Sequence, residues 1–280
     1  MNQRMDARPS GHYPIDRHAG EIERLRIQAD SMAPDAAIML EQIGVQPGWR
    51  CLDLGWGPGG ITELLCERAG PTGQIVGLDA DPVSLDAART LARGRANLEF
   101  VEGDAYSTGL PSGSFDLVHV RFLAGTAGEP AALLQEMIRL TRAGGTVAFQ
   151  EPDVSTLNCY PPHPAWSRLR DALRQAFAAV GANVQLAQEL FRMVRHAGLQ
   201  DVQYRPFLVG VRSGDPMTDY LPATVESVRA TLLDNKVISA EQLDAALAAC
   251  RTHLADPDTV FTTFTVAQVG GRHPGRVAPN

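Results

Sequence analysis

The sequence predicts an α/β fold of the doubly wound kind, in which helices cover both faces of a mostly parallel sheet. Three observations support this prediction. Short apolar runs alternate with amphipathic runs between residues 50 and 153, glycine or proline separates many of these runs, and a glycine-rich segment directly follows the first apolar run. A chain of 280 residues can form one such domain with a large core and a smaller accessory part.

The first half of the chain is predicted to repeat a strand and a helix. Two amphipathic helices come first, at residues 20–32 and 34–45. The strands expected after them are 50–54, 74–80, 98–105, 115–122 and 146–153, and the helices between them are 59–70, 82–94 and 130–145. Strands joined by helical crossovers of this kind lie parallel in one sheet.

The pattern changes after residue 153. A proline-rich loop at 155–164 leads into four helical stretches and two strand-like segments with alternating character. The helical stretches are 165–181, 184–199, 219–233 and 239–254, and the strand-like segments are 200–210 and 259–270. We expect a helical insertion, or cap, at one edge of the sheet, followed by the last strands of the same sheet.

Composition and charge exclude several classes of function. The net charge of −7 and the isoelectric point near 5.5 argue against a general electrostatic grip on nucleic acid. Lys236 is the one lysine, so a P-loop lysine after the glycines is absent. The cysteines are scattered without metal-ligand spacing, and no segment has the length and apolarity of a membrane span. We therefore expect a soluble, cytoplasmic protein with no metal and no membrane partner.

The segment CLDLGWGPGG, residues 51–60, marks the expected ligand site. In an open α/β sheet a ligand binds outside the carboxyl ends of the strands, where the first crossover reverses direction. Gly55 and Gly57 allow a tight turn and a close approach of backbone amides to the ligand. Together with Gly60 they also satisfy the dinucleotide pattern GxGxxG, so the glycines alone leave a nicotinamide-dependent oxidoreductase, using NAD(P), open.

Acidic residues end three successive predicted strands. Asp53 lies two residues before the first glycine, where it can accept from loop amides or from an ammonium group and would repel a pyrophosphate. Asp79 follows about twenty residues after the glycines, where it can accept from both hydroxyls of a ribose. Asp104 can accept from the exocyclic amine of adenine. This set suits a nucleoside that carries an amino acid better than it suits a dinucleotide.

These motifs resemble those of the class I S-adenosylmethionine-dependent methyltransferases. The segments LDLGWGPGG, IVGLDADP, FVEGDA, FDLVHVRF and LTRAGGTVAFQEP occur in that family's order and spacing, over roughly residues 45–155. The resemblance is to the branch that contains the ubiquinone and menaquinone methyltransferases and many small-molecule enzymes of specialised metabolism. It implies a Rossmann-like sheet of seven strands whose last strand is antiparallel, S-adenosylmethionine as cofactor with S-adenosylhomocysteine as product, and methylation of an O, N or C atom of a small molecule.

The resemblance also implies a division of the chain and a set of cofactor contacts. Residues 1–30 would form an N-terminal lid, 31–155 the cofactor-binding core, and 156–270 the cap with the final strands, before a disordered tail at 271–280. The residues that match the cofactor motifs are Asp53, Gly55, Gly57, Gly59, Asp79, Ala80, Asp104, Ala105 and Arg121. Trp56 departs from the small residue that is common at its position. We expect its ring to pack under the loop, with a narrowed methionine end of the site as the alternative.

Catalysis by this family needs alignment of the reactants first, and a base only where the acceptor starts protonated. Glu151, at the end of the fifth predicted strand, is a candidate base or acceptor ligand, with the alternative that it caps loop amides. His163 in the predicted cap is a second candidate, against the alternative of an exposed loop histidine. His119 is expected to be a hydrogen-bonded core histidine. The candidate acceptor contacts are Tyr13, His18 and Tyr160.

Other functions stay open beside methyl transfer and the oxidoreductase. The same fold and cofactor could serve a cyclase or decarboxylase in which the sulfonium charge stabilises a transition state, or a binding module without catalysis. The Asn/Asp-Pro-Pro-Tyr run that enzymes methylating amines in nucleic acid or protein carry at the end of the fourth strand is absent, since the sequence there is VRFLAG. A small-molecule acceptor is therefore the expected partner and nucleic acid is not, and a homodimer is one option for the assembly.

Overall fold

The computed structural model describes residues 19–57, 61–82, 85, 95–126 and 128–275, and its centre is a seven-stranded sheet. In chain order the strands are β1 (Arg50–Leu54), β2 (Gln74–Asp79), β3 (Leu98–Glu102), β4 (Phe115–Arg121), β5 (Thr141–Asp153), β6 (Asn158–Tyr160), β7 (Gln200–Phe207), β8 (Gly210–Arg212), β9 (Val260–Thr262) and β10 (Thr265–Arg272). The helices are α1 (Ala19–Ile43), α2 (Thr62–Ala69), α3 (Pro130–Leu140), α4 (Pro164–Ala179), α5 (Ala187–His196), α6 (Tyr220–Ser227), α7 (Arg229–Asp234) and α8 (Ala240–Leu254). The helix predicted at 82–94 lies mostly outside the described residues.

The strand order of the large sheet is β3-β2-β1-β4-β5-β10-β7. The pairs among β3, β2, β1, β4 and β5 are parallel, whereas β10 is antiparallel to both of its neighbours. This confirms the predicted doubly wound sheet with an antiparallel last strand. Because the chain runs outward from β1 to β3 and then returns to place β4 on the other side of β1, the order reverses between β1 and β4, and a ligand crevice is expected at their carboxyl ends.

The helix before β1 differs from the prediction. A single 25-residue helix, α1, replaces the two helices expected at 20–32 and 34–45, so that prediction was wrong. Pro34 lies inside α1 and removes one backbone hydrogen bond. Buried side chains on both sides of it, Met32 upstream and Leu40 downstream, offset this loss by packing on the rest of the molecule. The helix also crosses the boundary at residue 30 that was expected between lid and core.

The parallel strands are buried because helices cover both faces of the sheet. Residues 51–54 of β1 and 75–79 of β2 are buried throughout, which explains their apolar runs. Helix α2 ends at Gly70, whose φ of 65° is favourable for glycine. Within the described residues, no helix is both long enough and apolar enough to span a lipid bilayer.

A second, three-stranded sheet of order β6-β9-β8 was not predicted. It forms because both late strand-like segments divide: 200–210 yields β7 and β8, and 259–270 yields β9 and β10. Thr263 lies at one division, where its hydroxyl accepts from the backbone N–H of Val209 at 2.9 Å. The small sheet and helices α4, α6, α7 and α8 share one hydrophobic cluster, which forms the predicted cap.

Candidate active site

The glycine loop after β1 is held against β2 by its own backbone. Gly55 and Gly57 have φ values of 69° and 58°, so both turns need glycine. The amides of Gly55 and Trp56 donate to the carbonyl of Leu78 at 2.8 and 3.2 Å, and the amide of Gly57 donates to Asp79 at 2.8 Å. The tight turn is thus as predicted, but these three amides bond within the protein instead of facing a ligand. A loop that cradles pyrophosphate needs free amides. Residues 58–60, including Gly59, lie outside the described residues.

The Trp56 ring packs on the sheet beside this loop. It meets the Phe100 ring edge-on, with 4.7 Å between the ring centroids, and it covers Gly77 of β2 so closely that a Cβ atom there would lie 2.2 Å from the indole. Only 7% of the residue is exposed. This confirms the expected packing role of Trp56, because the ring is directed to β2 and β3.

Two of the predicted acids, Asp79 and Asp104, lie at or just after the carboxyl ends of their strands. Asp79, at the end of β2, accepts N–H groups from Gly57 at 2.8 Å and Asp81 at 2.9 Å. Asp104 follows β3, is exposed, and accepts from the amide of Tyr106 at 2.9 Å. Each carboxylate can accept about four hydrogen bonds, so both keep lone pairs for a ligand. Ala80 and Ala105 follow these acids at the same edge of the sheet.

Asp53, the third acid, lies on β1 and is almost fully buried. One carboxylate oxygen lies 2.7 Å from His119 Nδ1 and the other accepts from the Thr62 hydroxyl at 3.3 Å. His119 has no exposed surface, and its Nε2 lies 3.1 Å from the side-chain amide of Gln150. His119 is therefore the hydrogen-bonded core histidine that was predicted. Its contact with the site acid Asp53 was not predicted, because 66 residues separate the two along the chain.

Arg121 and Phe122 form the end of β4. Burial lowers the pKa of the Arg121 guanidinium, and the nearby Asp53 carboxylate opposes this shift. Among the described residues, Arg121 makes no ion pair within 4.0 Å; its guanidinium lies 5.7 Å from the centre of the Phe122 ring. Phe122 has a φ of 58°, which is rare for a bulky residue and marks functional sites more often than others. Nothing in the sequence predicted this strain.

The Phe122 ring joins the sheet edge to the cap. It meets Phe264 at 5.6 Å between centroids, and Phe264 meets Tyr220 of α6 at 5.9 Å. The sequence analysis did not identify these three aromatic residues as a group, because they come from segments far apart in the chain. The three rings form a continuous apolar contact between the end of β4 and helix α6.

Glu151, near the end of β5, supports the loop after β4. Its carboxylate has no exposed surface and accepts from the amides of Ala124 at 2.9 Å and Gly125 at 3.3 Å. Burial raises the pKa of Glu151 to about 8, although these amides favour the ionised form. These contacts agree with the expected alternative in which Glu151 caps loop amides.

The remaining described candidates, His163 and Tyr160, belong to the cap. His163 caps α4 by accepting from the amide of Ala165 at 3.2 Å, and its ring stacks on His253 of α8 at 4.5 Å. Tyr160 on β6 is half exposed, and its hydroxyl accepts from Asn158 at 2.9 Å. The contacts found for both residues stay within the cap. Tyr13 and His18 lie outside the described residues.

Comparisons with known proteins agree with this geometry. Residues 52–149 match the family described as "Methyltransferase domain". This range includes the last three residues of β1, the glycine loop, Asp79, Asp104 and most of β5. Residues 52–149 therefore form a methyltransferase domain, which agrees with the class I S-adenosylmethionine-dependent methyltransferase that the motifs predicted. The cofactor of this methyltransferase is S-adenosylmethionine.

Among curated proteins, the methyltransferase is similar to the demethylmenaquinone methyltransferase of Geobacillus kaustophilus. The two are 27% identical over 187 residues, which is 62% of this chain and 80% of that protein. It is also 26% identical, over 208 residues, to an uncharacterised 37.1 kDa protein from a Streptomyces fradiae transposon. That match covers 68% of this chain but 60% of the transposon protein, so the chain spans less than two thirds of that relative's length.

Solved structures show the same fold. A putative methyltransferase from Bacillus halodurans superposes with a TM-score of 0.57 and 16% sequence identity. The superposition covers 86% of this methyltransferase and 99% of the Bacillus chain. The seven-stranded sheet with its antiparallel strand is therefore the fold of this group of structures.

Proposed function

We propose that this methyltransferase transfers the methyl group of S-adenosylmethionine to an O, N or C atom of a small molecule of specialised metabolism. One observation carries the choice of ligand. Carboxylates end or follow three adjacent strands, at Asp53, Asp79 and Asp104, while the described amides of the glycine loop are bonded inside the protein. The carboxylates at this edge can accept hydrogen bonds from a cationic nucleoside, and their negative charge repels pyrophosphate.

Each acid has a distinct part in this proposal. Asp79 accepts from the ribose hydroxyls, and Asp104 accepts from the exocyclic amine of adenine. Asp53 and Arg121 are close enough for their charges to interact, and together they complement the ammonium and the carboxylate of an amino acid. Ala80 and Ala105 would approach the ligand through their backbone. Gly55, Gly57 and Gly59 would let the loop come close to the ligand, although the amides of Gly55 and Gly57 are bonded inside the protein.

The cofactor supplies an in-line displacement, in which the acceptor atom bonds to the methyl carbon while the bond from that carbon to sulfur breaks and its electron pair stays on sulfur. The protein's task is to hold the acceptor in line and to keep water out. Glu151 supports this task by fixing the loop of residues 122–126 through the amides of Ala124 and Gly125. Glu151 thus serves as a positioning residue in our proposal, and His163 as a cap residue.

The acceptor is proposed to lie against the aromatic contact between sheet and cap. Phe122, Phe264 and Tyr220 form this contact, and the half-buried Arg121 adjoins it. Apolar rings in this position suit an acceptor that is at least partly apolar. The acceptor would be contacted by Tyr160 only from the outer cap, and by Tyr13 and His18 only from the N-terminal segment.

Incubation with methyl-deuterated S-adenosylmethionine and a panel of acceptors tests the proposal. Phenols and demethylated quinones come first, since a demethylmenaquinone methyltransferase is among the relatives. Mass spectrometry should find a product that carries the label and an equal amount of S-adenosylhomocysteine. An acceptor that is converted without formation of S-adenosylhomocysteine would establish a cyclase or decarboxylase in place of methyl transfer.

A further inference from the structure

A row of polar side chains crosses the sheet from α2 to α1 through its interior. Consecutive members lie within hydrogen-bonding distance, from 2.5 to 3.3 Å. In order they are Thr62, Asp53, His119, Gln150, Gln268, Arg205 and Asp35. The strand register explains the row, because Asp53 pairs with His119 across β1 and β4, Gln150 with Gln268 across β5 and β10, and Gln268 with Arg205 across β10 and β7. We call this row the relay.

The far end of the relay fixes the orientation of the Gln268 amide. Arg205 can only donate, and it lies 2.9 Å from Gln268 Oε1. The backbone carbonyl of Asp35 can only accept, and it lies 2.9 Å from Gln268 Nε2. The amide oxygen of Gln268 therefore faces Arg205, and its N–H groups are directed away from Arg205.

This orientation passes along the relay to the histidine. The second N–H of Gln268 donates to Gln150 Oε1 at 3.0 Å, so the N–H groups of Gln150 face His119. Since Gln150 Nε2 lies 3.1 Å from His119 Nε2, that ring nitrogen must accept. The ring proton of His119 is then on Nδ1, where it donates to Asp53 at 2.7 Å.

We propose that the relay holds His119 as the neutral tautomer protonated at Nδ1, and that His119 is a positioning residue for Asp53. The inference rests on the proposed function, in which Asp53 binds the ammonium group of the cofactor. A neutral donor fixes one carboxylate oxygen without cancelling its charge, and Thr62 fixes the other. Asp53 then presents a complete negative charge in a set orientation.

The tautomer can be observed without cofactor. In protein labelled with ¹⁵N-histidine, the resonances of His119, assigned by their loss in His119→Asn, should show a protonated Nδ1 and an unprotonated Nε2.

The variant Gln268→Glu changes the relay two residues away from His119. The carboxylate introduced at position 268 can only accept, so the Gln150 amide must turn its N–H groups toward position 268 and its oxygen toward His119. Nε2 of His119 should then become protonated. The hydrogen bond from Nδ1 to Asp53 is lost, and the affinity for S-adenosylhomocysteine should fall about tenfold, the effect of losing one hydrogen bond to a charged group.

Gln203→Glu is the matched control, because Gln203 is exposed on β7 and the change adds the same charge outside the relay. It should leave both the tautomer and the affinity unchanged. A protonated Nε2 in the unmodified protein, or an unchanged tautomer in folded Gln268→Glu, would overturn the inference. Protonation of Nε2 in that variant with undiminished affinity would refute the positioning role.

Two further results keep the inference separate from the proposed function. If the tautomer is as expected but the unmodified protein does not bind S-adenosylhomocysteine, the cofactor role of Asp53 fails while the relay stands. If Gln268→Glu does not fold, His119→Asn and His119→Leu replace it. The Asn amide can still donate to Asp53, so it should keep most of the affinity that Leu loses, and equal losses would contradict the positioning role.

Discussion

Two carboxylates show how surroundings set the chemistry of single residues in this protein. Asp79 ends β2, and its carboxylate accepts hydrogen bonds from two backbone N–H groups. Glu151 near the end of β5 also accepts two backbone N–H groups, yet complete burial raises its pKa to about 8. Asp79 is thus suited to bind donors of a ligand, and Glu151 to support a loop.

Asp79→Asn should weaken the binding of S-adenosylhomocysteine by about 1–3 kcal/mol, because a charge-assisted hydrogen bond to the ribose is lost. Isothermal titration calorimetry measures this difference. Glu99→Gln is the matched control, since Glu99 is exposed at the opposite end of β3, and it should bind as tightly as the unmodified protein. Equal affinity of both variants would remove Asp79 from the site.

Glu151→Gln should change how stability depends on pH. The pKa of about 8 in the folded protein lies above the usual 4.5, so the folded state loses stability as pH rises from about 5 to about 8. The Gln side chain does not ionise, so the unfolding free energy of the variant should rise relative to the unmodified protein over this range, by a few kcal/mol in order of magnitude.

Urea denaturation at several pH values measures this difference. Glu41→Gln in α1, where the side chain is exposed, should show no comparable trend. A difference that stays constant with pH would mean that Glu151 is already ionised in the folded protein at neutral pH.

At the scale of elements, the glycine loop depends on the packing of Trp56 against β2 and β3. The ring occupies the space above Gly77, and the backbone N–H groups of Trp56 and Gly57 donate to the Leu78 carbonyl and the Asp79 carboxylate. The loop and strand β2 therefore behave as one unit. A change in β2 that displaces the indole should move the loop and with it the crevice.

Gly77→Ala tests this coupling. The added Cβ would meet the indole at 2.2 Å, so we expect a loss of about 1–3 kcal/mol in unfolding free energy together with weaker binding of S-adenosylhomocysteine. Gly210→Ala is the control, because a Cβ at Gly210 has no atom within 4 Å. If the two variants have the same stability and affinity, the indole does not couple β2 to the loop.

At the scale of the whole molecule, the sequence predicted the parts that depend on local pattern. Alternating apolar and amphipathic runs predicted the parallel strands, and Asp53, Asp79 and Asp104 were identified because each follows its own strand motif. The relay could not be predicted. Gln150 and Gln268 are 118 residues apart, and each glutamine alone is indistinguishable from a surface residue until the register of β5 and β10 joins them.

The same limit explains the errors in the prediction. The two amphipathic segments at 20–32 and 34–45 predicted two helices, but tertiary packing of Met32 and Leu40 keeps α1 continuous through Pro34. The small sheet was missed because β6, β8 and β9 are each three residues long and come from segments far apart in the chain. Long-range contacts decide both features, and local periodicity carries no signal for them.

Calorimetric titration of the purified protein with S-adenosylhomocysteine, and in parallel with NADH and NADPH, tests the central claim most directly. Carboxylates lie at the carboxyl ends of β1, β2 and β3, and the described loop amides are bonded inside the protein. S-adenosylhomocysteine should therefore bind at one site per chain, and neither dinucleotide should bind. Binding of a nicotinamide cofactor without binding of S-adenosylhomocysteine would contradict the roles of Asp53 and Asp104 and, with them, the proposed methyl transfer.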